Sequence, residues 1–183
     1  MRKAFSVKGW MGMAVLLLLI AGCGNSSTTA APAGSKTAVL TLSSSGTLPI
    51  NAKIGAVDVT VVLPAGVTIK ATPYSTDSPV LVADKNVLTT TINGVLFSYA
   101  TYTPVSASAA GSVNVRIASA NGFLTGPFAT LTCNVADSSN PAATDFSLAN
   151  LQVYDLSNGA VIPGMTASYS VVFGMSNESS VTH

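Results

Sequence analysis

The stretch AVDVTVVLP, residues 56–64, sets Val57, Val59, Val61 and Leu63 at every second position, with Ala56, Asp58, Thr60 and Val62 between them. Successive side chains of an extended chain point to opposite faces, so the first set lies on one face of a strand and the more polar set on the other. Pro64-Ala65-Gly66 ends the run, and Val67-Thr68-Ile69-Lys70 resumes it. The same alternation recurs on both sides of this stretch.

Upstream, AVLTLS (38–43) predicts the first strand of the domain. Downstream, SVNVRIA puts Val113, Val115 and Ile117 inward and Asn114 and Arg116 outward. FATLTCNVA puts Ala129, Leu131, Cys133 and Val135 on one face, and TASYSVVF does so with Tyr169, Val171 and Phe173. Between them stand the turn signals Ala110-Gly111, Asn121-Gly122, Thr125-Gly126-Pro127, Ser139-Asn140-Pro141 and Ser157-Asn158-Gly159. Residues 71–93, with Pro73, Pro79 and three consecutive threonines, are expected to form an exposed connection carrying one or two short strands. Short strands punctuated in this way predict an all-β sandwich or barrel of about eight or nine strands.

Composition agrees. Only 8% of the chain is charged, and its β-branched side chains suit a pleated surface better than a helix. The first ten residues, MRKAFSVKGW, carry Arg2, Lys3 and Lys8, and the uncharged run MGMAVLLLLIAG follows. That is a basic n-region ahead of an h-region, shorter than the roughly 20 apolar residues a spanning helix needs, so a cleaved export signal is expected over 1–22, with a membrane anchor as the alternative. Removing it leaves five of the eight basic residues against seven acidic ones, a net charge of −2. Phosphate neutralisation needs several Lys or Arg on one surface, so nucleic acid is excluded as a partner.

Ile20-Ala21-Gly22-Cys23 resembles the lipobox of bacterial lipoproteins. The resemblance implies that Cys23 is acylated, that cleavage follows Gly22, and that the chain is anchored in the cell envelope by lipid, palmitate included. Gly24 in place of Asp implies the outer membrane if the cell is Gram-negative. An ordinary secretory signal with an incidental cysteine is the alternative. Residues 23–36 read as the lipidated cysteine and a flexible tether, residues 37–174 as one domain of ordinary size, and residues 175–183 as a polar tail.

Within the domain, Gly126-Pro127-Phe128-Ala129-Thr130-Leu131-Thr132-Cys133-Asn134-Val135 resembles the strand signature Gly-x-Leu-Ala-x-Ile-x-Phe-x-Val of the cohesin family. Residues 112–123 resemble the strand leading into it, Phe146-Ser147-Leu148 and Asp155-Leu156-Ser157-Asn158-Gly159 the last strands and their turn, and residues 56–61 the second strand. The chain departs from the family at Val62-Leu63-Pro64, where Tyr-Asp-Pro is usual, and at Cys133, where Phe is preferred. The resemblance implies a jelly-roll β-sandwich, shared with several carbohydrate-binding modules, and a protein partner such as a dockerin.

Catalytic groups are scarce. The one histidine, His183, is the last residue, where a frayed end holds no fixed geometry for a base. Asp58, Asp77, Asp84, Asp137, Asp145 and Asp155 include no close pair, and a glycosidase needs two carboxyls about 5–10 Å apart. No catalytic residue, metal site or cofactor is expected, although Asp137 and Asp155, beside Ser and Asn turns, leave calcium open. Cys133, alone after acylation of Cys23, is expected to be packed in the core.

The sole tryptophan, Trp10, leaves with the signal, so stacking on a ligand falls to Tyr74, Tyr99, Tyr102 and Tyr154. In LFSYATYTP, Phe97 and Tyr99 share a face and Tyr102 takes the other; packing in the core is the competing role for all four. Three functions remain: a lipid-anchored, non-catalytic module binding an extracellular or envelope protein, a polysaccharide-binding module, and a structural envelope subunit whose strand edges pair with neighbours.

Overall fold

The computed structural model describes residues 35–176. The expected signal at 1–22, Cys23 and the tether up to residue 34, and the tail from 177 through His183 lie outside the described residues.

Eleven strands carry the described chain: β1 (Ser35–Ser45), β2 (Ile54–Leu63), β3 (Val67–Thr68), β4 (Ala71–Pro73), β5 (Leu81–Ala83), β6 (Leu88–Thr90), β7 (Val95–Thr103), β8 (Gly111–Phe123), β9 (Gly126–Val135), β10 (Ser147–Asp155) and β11 (Thr166–Ser176). Every pairing is antiparallel. One sheet runs β11-β1-β9, with β3 and β6 both on the far side of β9; the other runs β10-β2-β8-β7-β5-β4. The chain passes repeatedly from one sheet to the other, the winding of a jelly-roll β-sandwich. β1 starts at Ser35 and β11 ends at Ser176 because these two ends pair with each other.

The alternation read from the sequence is the alternation of burial. Val57, Val59, Val61 and Leu63 of β2 meet Val113, Val115 and Ile117 of β8 on the inner side of one sheet. Ala129, Leu131, Cys133 and Val135 of β9, with Ala38, Leu40 and Leu42 of β1, line the other. All are buried. Phe128 and Phe146 are the largest side chains fully enclosed between the sheets.

Three expectations are corrected. Eight or nine strands become eleven because β3 to β6 are only two or three residues long, too short to display a period of two. Residues 71–93 hold three of these short strands, which exist because β5 finds a partner in β7 and β6 finds one in β9. Asn121-Gly122 does not reverse the chain. Gly122 has a φ of 63°, and the ladder between β2 and β8 jumps from Ile54↔Phe123 to Ala56↔Ala118, so the dipeptide is taken up as a bulge inside β8.

The segment joining β9 to β10 closes one side of the sandwich through a 3-10 turn at Ala143–Asp145. Phe146 there packs against Tyr169 and Phe173 of β11, at centroid distances of 6.5 Å for each pair. The Tyr169 hydroxyl donates to the carbonyls of Ala143 and Phe146. Two stability changes are expected. Leu131→Ala, at a fully buried site, should cost about 2–5 kcal/mol in denaturant unfolding. Ser44 is buried and its hydroxyl has no partner among the described residues, so Ser44→Ala should leave stability unchanged or raise it by about 1 kcal/mol, and a loss of that size would show that the hydroxyl is satisfied.

Candidate functional site

Burial of one face of β2 and β8 obliges their alternate residues to face outward, and the register assembles these into rows across the six-stranded sheet. One row reads Gln152, Asp58, Arg116, Tyr99 from β10 to β7; the next reads Tyr154, Ala56, Ala118, Phe97. A third, Ala149, Thr60, Asn114, Thr101, lies on the other side of the first.

The centre of this face is a hydrogen-bonded charge pair. Arg116 Nε donates to Asp58 Oδ2 at 2.8 Å, and Asn114 Nδ2 donates to Asp58 Oδ1 at 2.6 Å. Both carboxylate oxygens are therefore occupied, while the Arg116 side chain remains 58% exposed and its guanidinium retains further N–H donors. Around it stand Tyr99, half-buried, and Phe97, 52% exposed. On the other flank the Tyr154 hydroxyl donates to Gln152 Oε1. Ala56 and Ala118 lie between Tyr154 and Phe97, whose backbones are three strand spacings, roughly 14 Å, apart.

The four tyrosines singled out in the sequence are divided by the fold. Tyr99 and Tyr154 share this outer face. Tyr102, opposite Val113 of the core, turns inward and is half-buried; burial, and then proximity to Cys133, raise its phenol pKa. Tyr74 follows β4 and is 71% exposed, two strands beyond β7 and away from the central rows. The separation of Phe97 and Tyr99 from Tyr102 follows the strand period. Asp58 and Arg116 read from the sequence as outward positions, and Gln152 carries no local signal; the first two are opposite charges in a chain with few charges, and only the register Asp58↔Arg116 brings them together.

Beside this face β5 leaves β7 after pairing only at Leu81↔Tyr102 and Val82↔Thr101. An open notch of about 360 Å³ results, lined among others by Asp84, Asn86, Ser98 and Tyr99. Among the described residues no three His, Cys, Asp or Glu side chains gather in one place. Asp155 Oδ1 accepts from both the backbone N–H and the hydroxyl of Ser157 at 2.7 and 2.6 Å, which lowers its pKa and fastens the turn after β10. Cys133 is fully enclosed, and burial pushes its thiol up to about 12.

No family model matches the chain, and no curated protein matches it. Among solved structures, the chain is similar to a non-cellulosomal cohesin from the hyperthermophilic archaeon Archaeoglobus fulgidus, at 17% identity over 72% of this chain and 75% of that one, with a TM-score of 0.39. The fold assignment stands on the strand order and burial described above.

Two measurements probe this region. The Asp58–Arg116 pair is partly solvated, so a double-mutant cycle with Asp58→Asn and Arg116→Gln should give a coupling below about 1 kcal/mol; a value several times larger would mean that the pair holds the sheet together. The Cys133 thiol should resist alkylation in the folded chain and react on unfolding. Its folded pKa lies above the ordinary value near 9, so the unfolded chain loses the proton first. Its contribution to stability is constant below pH 9 and falls as the pH rises toward 12. Cys133→Val should lessen that alkaline decline in urea titrations.

Proposed function

We propose that this chain is a lipid-anchored, non-catalytic module of the bacterial cell envelope that binds a protein partner through the outer face of the six-stranded sheet. The observation that carries the reading is the pair of rows Gln152-Asp58-Arg116-Tyr99 and Tyr154-Ala56-Ala118-Phe97. Protein interfaces concentrate their binding energy in Tyr, Trp and Arg near the centre of a patch with a polar rim, and this face sets Arg116 and Tyr99 among Gln, Asn and Thr. The cohesin resemblance in residues 126–135 points to helical partners of the dockerin kind. The Ile20-Ala21-Gly22-Cys23 motif supports the anchor, with several acyl chains giving the stable membrane attachment that one chain does not. A polysaccharide is the second reading, favoured by the exposed Phe97 and the neighbouring Tyr99, which offer ring faces for stacking.

The test is affinity capture with the full chain in detergent, exposed to envelope and secreted extract. A protein retained by the native chain and by Thr132→Lys, on the opposite sheet, should be lost from Phe97→Ser and Arg116→Glu, each shown by circular dichroism to be folded. Retention of polysaccharide alone would replace the protein reading. Equal protein retention by all variants would move the site elsewhere. For the anchor, intact mass spectrometry should find acyl chains on Cys23, and Cys23→Ala should leave the unprocessed chain.

A further inference from the structure

An open sandwich has four sheet edges, and an edge strand with free N–H and C=O groups is a template for another chain unless it is blunted. Three of the four edges here are blunted. β4 is three residues long and ends in Pro73. The far edge of the five-stranded sheet is divided between β3 and β6, two and three residues long. β10 is interrupted at Asn150, whose φ is 53°, where its ladder with β2 shifts between Ala149 and Gln152. The end of β10 is also covered: Ile162 N donates to Val153 O at 2.7 Å and Asp155 N to Ala160 O at 2.8 Å.

β11 has none of these devices. It is eleven residues long, TASYSVVFGMS, without proline or charge. Its register with β1 runs from Ser35↔Ser176 to Ser45↔Thr166 without a shift. Among the described residues no backbone hydrogen bond reaches it from any segment except β1. Val172 and Met175 are 67% and 69% exposed.

We propose that β11 pairs antiparallel with β11 of a second copy of this chain about a two-fold axis, joining two five-stranded sheets into one of ten strands. The strand is suited to itself. It brings no like charges together, which directly opposed lysines or carboxylates would do. Among the described residues, Lys36 on the neighbouring β1 directs its Nζ to the carbonyls of Asp137 and Ser139 at 3.0 and 3.2 Å. Antiparallel two-fold pairing matches positions of the same phase, so the outward set Thr166, Ser168, Ser170, Val172 and Gly174 meets its own kind, and so does the inward set from Ala167 to Met175. Opposed Ser and Thr side chains then hydrogen-bond across the join. An eleven-residue antiparallel ladder supplies about ten hydrogen bonds, the number found in an ordinary protein interface, and the resulting two-fold dimer is the commonest closed assembly.

Sedimentation equilibrium of the full chain in density-matched detergent tests the assignment. The native chain and Thr132→Lys, which adds a charge to the same sheet two strands from the edge, should give the mass of two chains. Val172→Lys and Ser168→Lys, each of which brings a lysine of both copies to the join, should be folded by circular dichroism and raise the dissociation constant at least tenfold. Single cysteines at Ser168, Ser170 and Val172 should form disulfide dimers on oxidation, most readily at the one nearest the axis, above the background of the native chain. A native monomer at every concentration overturns the proposal. So does a dimer indifferent to the lysines on β11, and so does capture of a different protein on β11 without self-association.

Discussion

Enclosure of one face of β1, β2, β8 and β9 is the constraint from which the remaining geometry follows. Because the side-chain period is two, slipping β2 past β8 by one residue would carry Val57, Val59 and Val61 into solvent and Asp58 and Thr60 into the core. The burial of those valines therefore fixes the register, and the register sets Asp58 opposite Arg116. The charge pair at the centre of the candidate face is a product of core packing. Its position is rigid for the same reason, since the strands that carry it cannot slide without unpacking the interior.

The two outer faces differ in chemistry although they are built alike. On the six-stranded sheet the outward positions carry Arg116, Asp58, Tyr99, Phe97 and Tyr154. On the other sheet they carry Thr37, Thr41, Ser43, Thr130, Thr132 and Ser170, with Val39 and Val172 among them, and no charge at the outward positions of β1, β9 or β11. One sheet thus offers anchoring side chains across its middle. The other offers its backbone at the β11 edge, where the inner side chains Tyr169 and Phe173 are already held by Phe146. Face and edge lie on different sheets, so one copy can use both at once.

The four long strands of the core, the inward sets of β2, β8 and β9 and the opposed facing of Tyr99 and Tyr102 are legible in the sequence because each depends only on alternation within a single segment. The short strands β3 to β6 are not, because a run of two or three residues has no period and becomes a strand only where another strand supplies a partner, β9 for β3 and β6, β7 for β5, and β5 in turn for β4. Asn121-Gly122 has the composition of a turn, but whether a glycine at positive φ reverses the chain or bulges a strand is decided by what stands opposite it, here β2.

The sequence by itself determined the class of fold, the alternating core sets of β2, β8 and β9 and the local motif at Cys23, all of which rest on neighbours along the chain. Only the tertiary structure decided that Tyr99 and Tyr154 stand in the central rows of one face while Tyr102 turns inward and Tyr74 lies out beside β4 at the edge, that Asp58 meets Arg116, and that β11 is the long edge left open among the described residues. Those are relations between residues tens of positions apart, and antiparallel pairing, which sets one strand against another by register and sheet order, is the physical step that creates them.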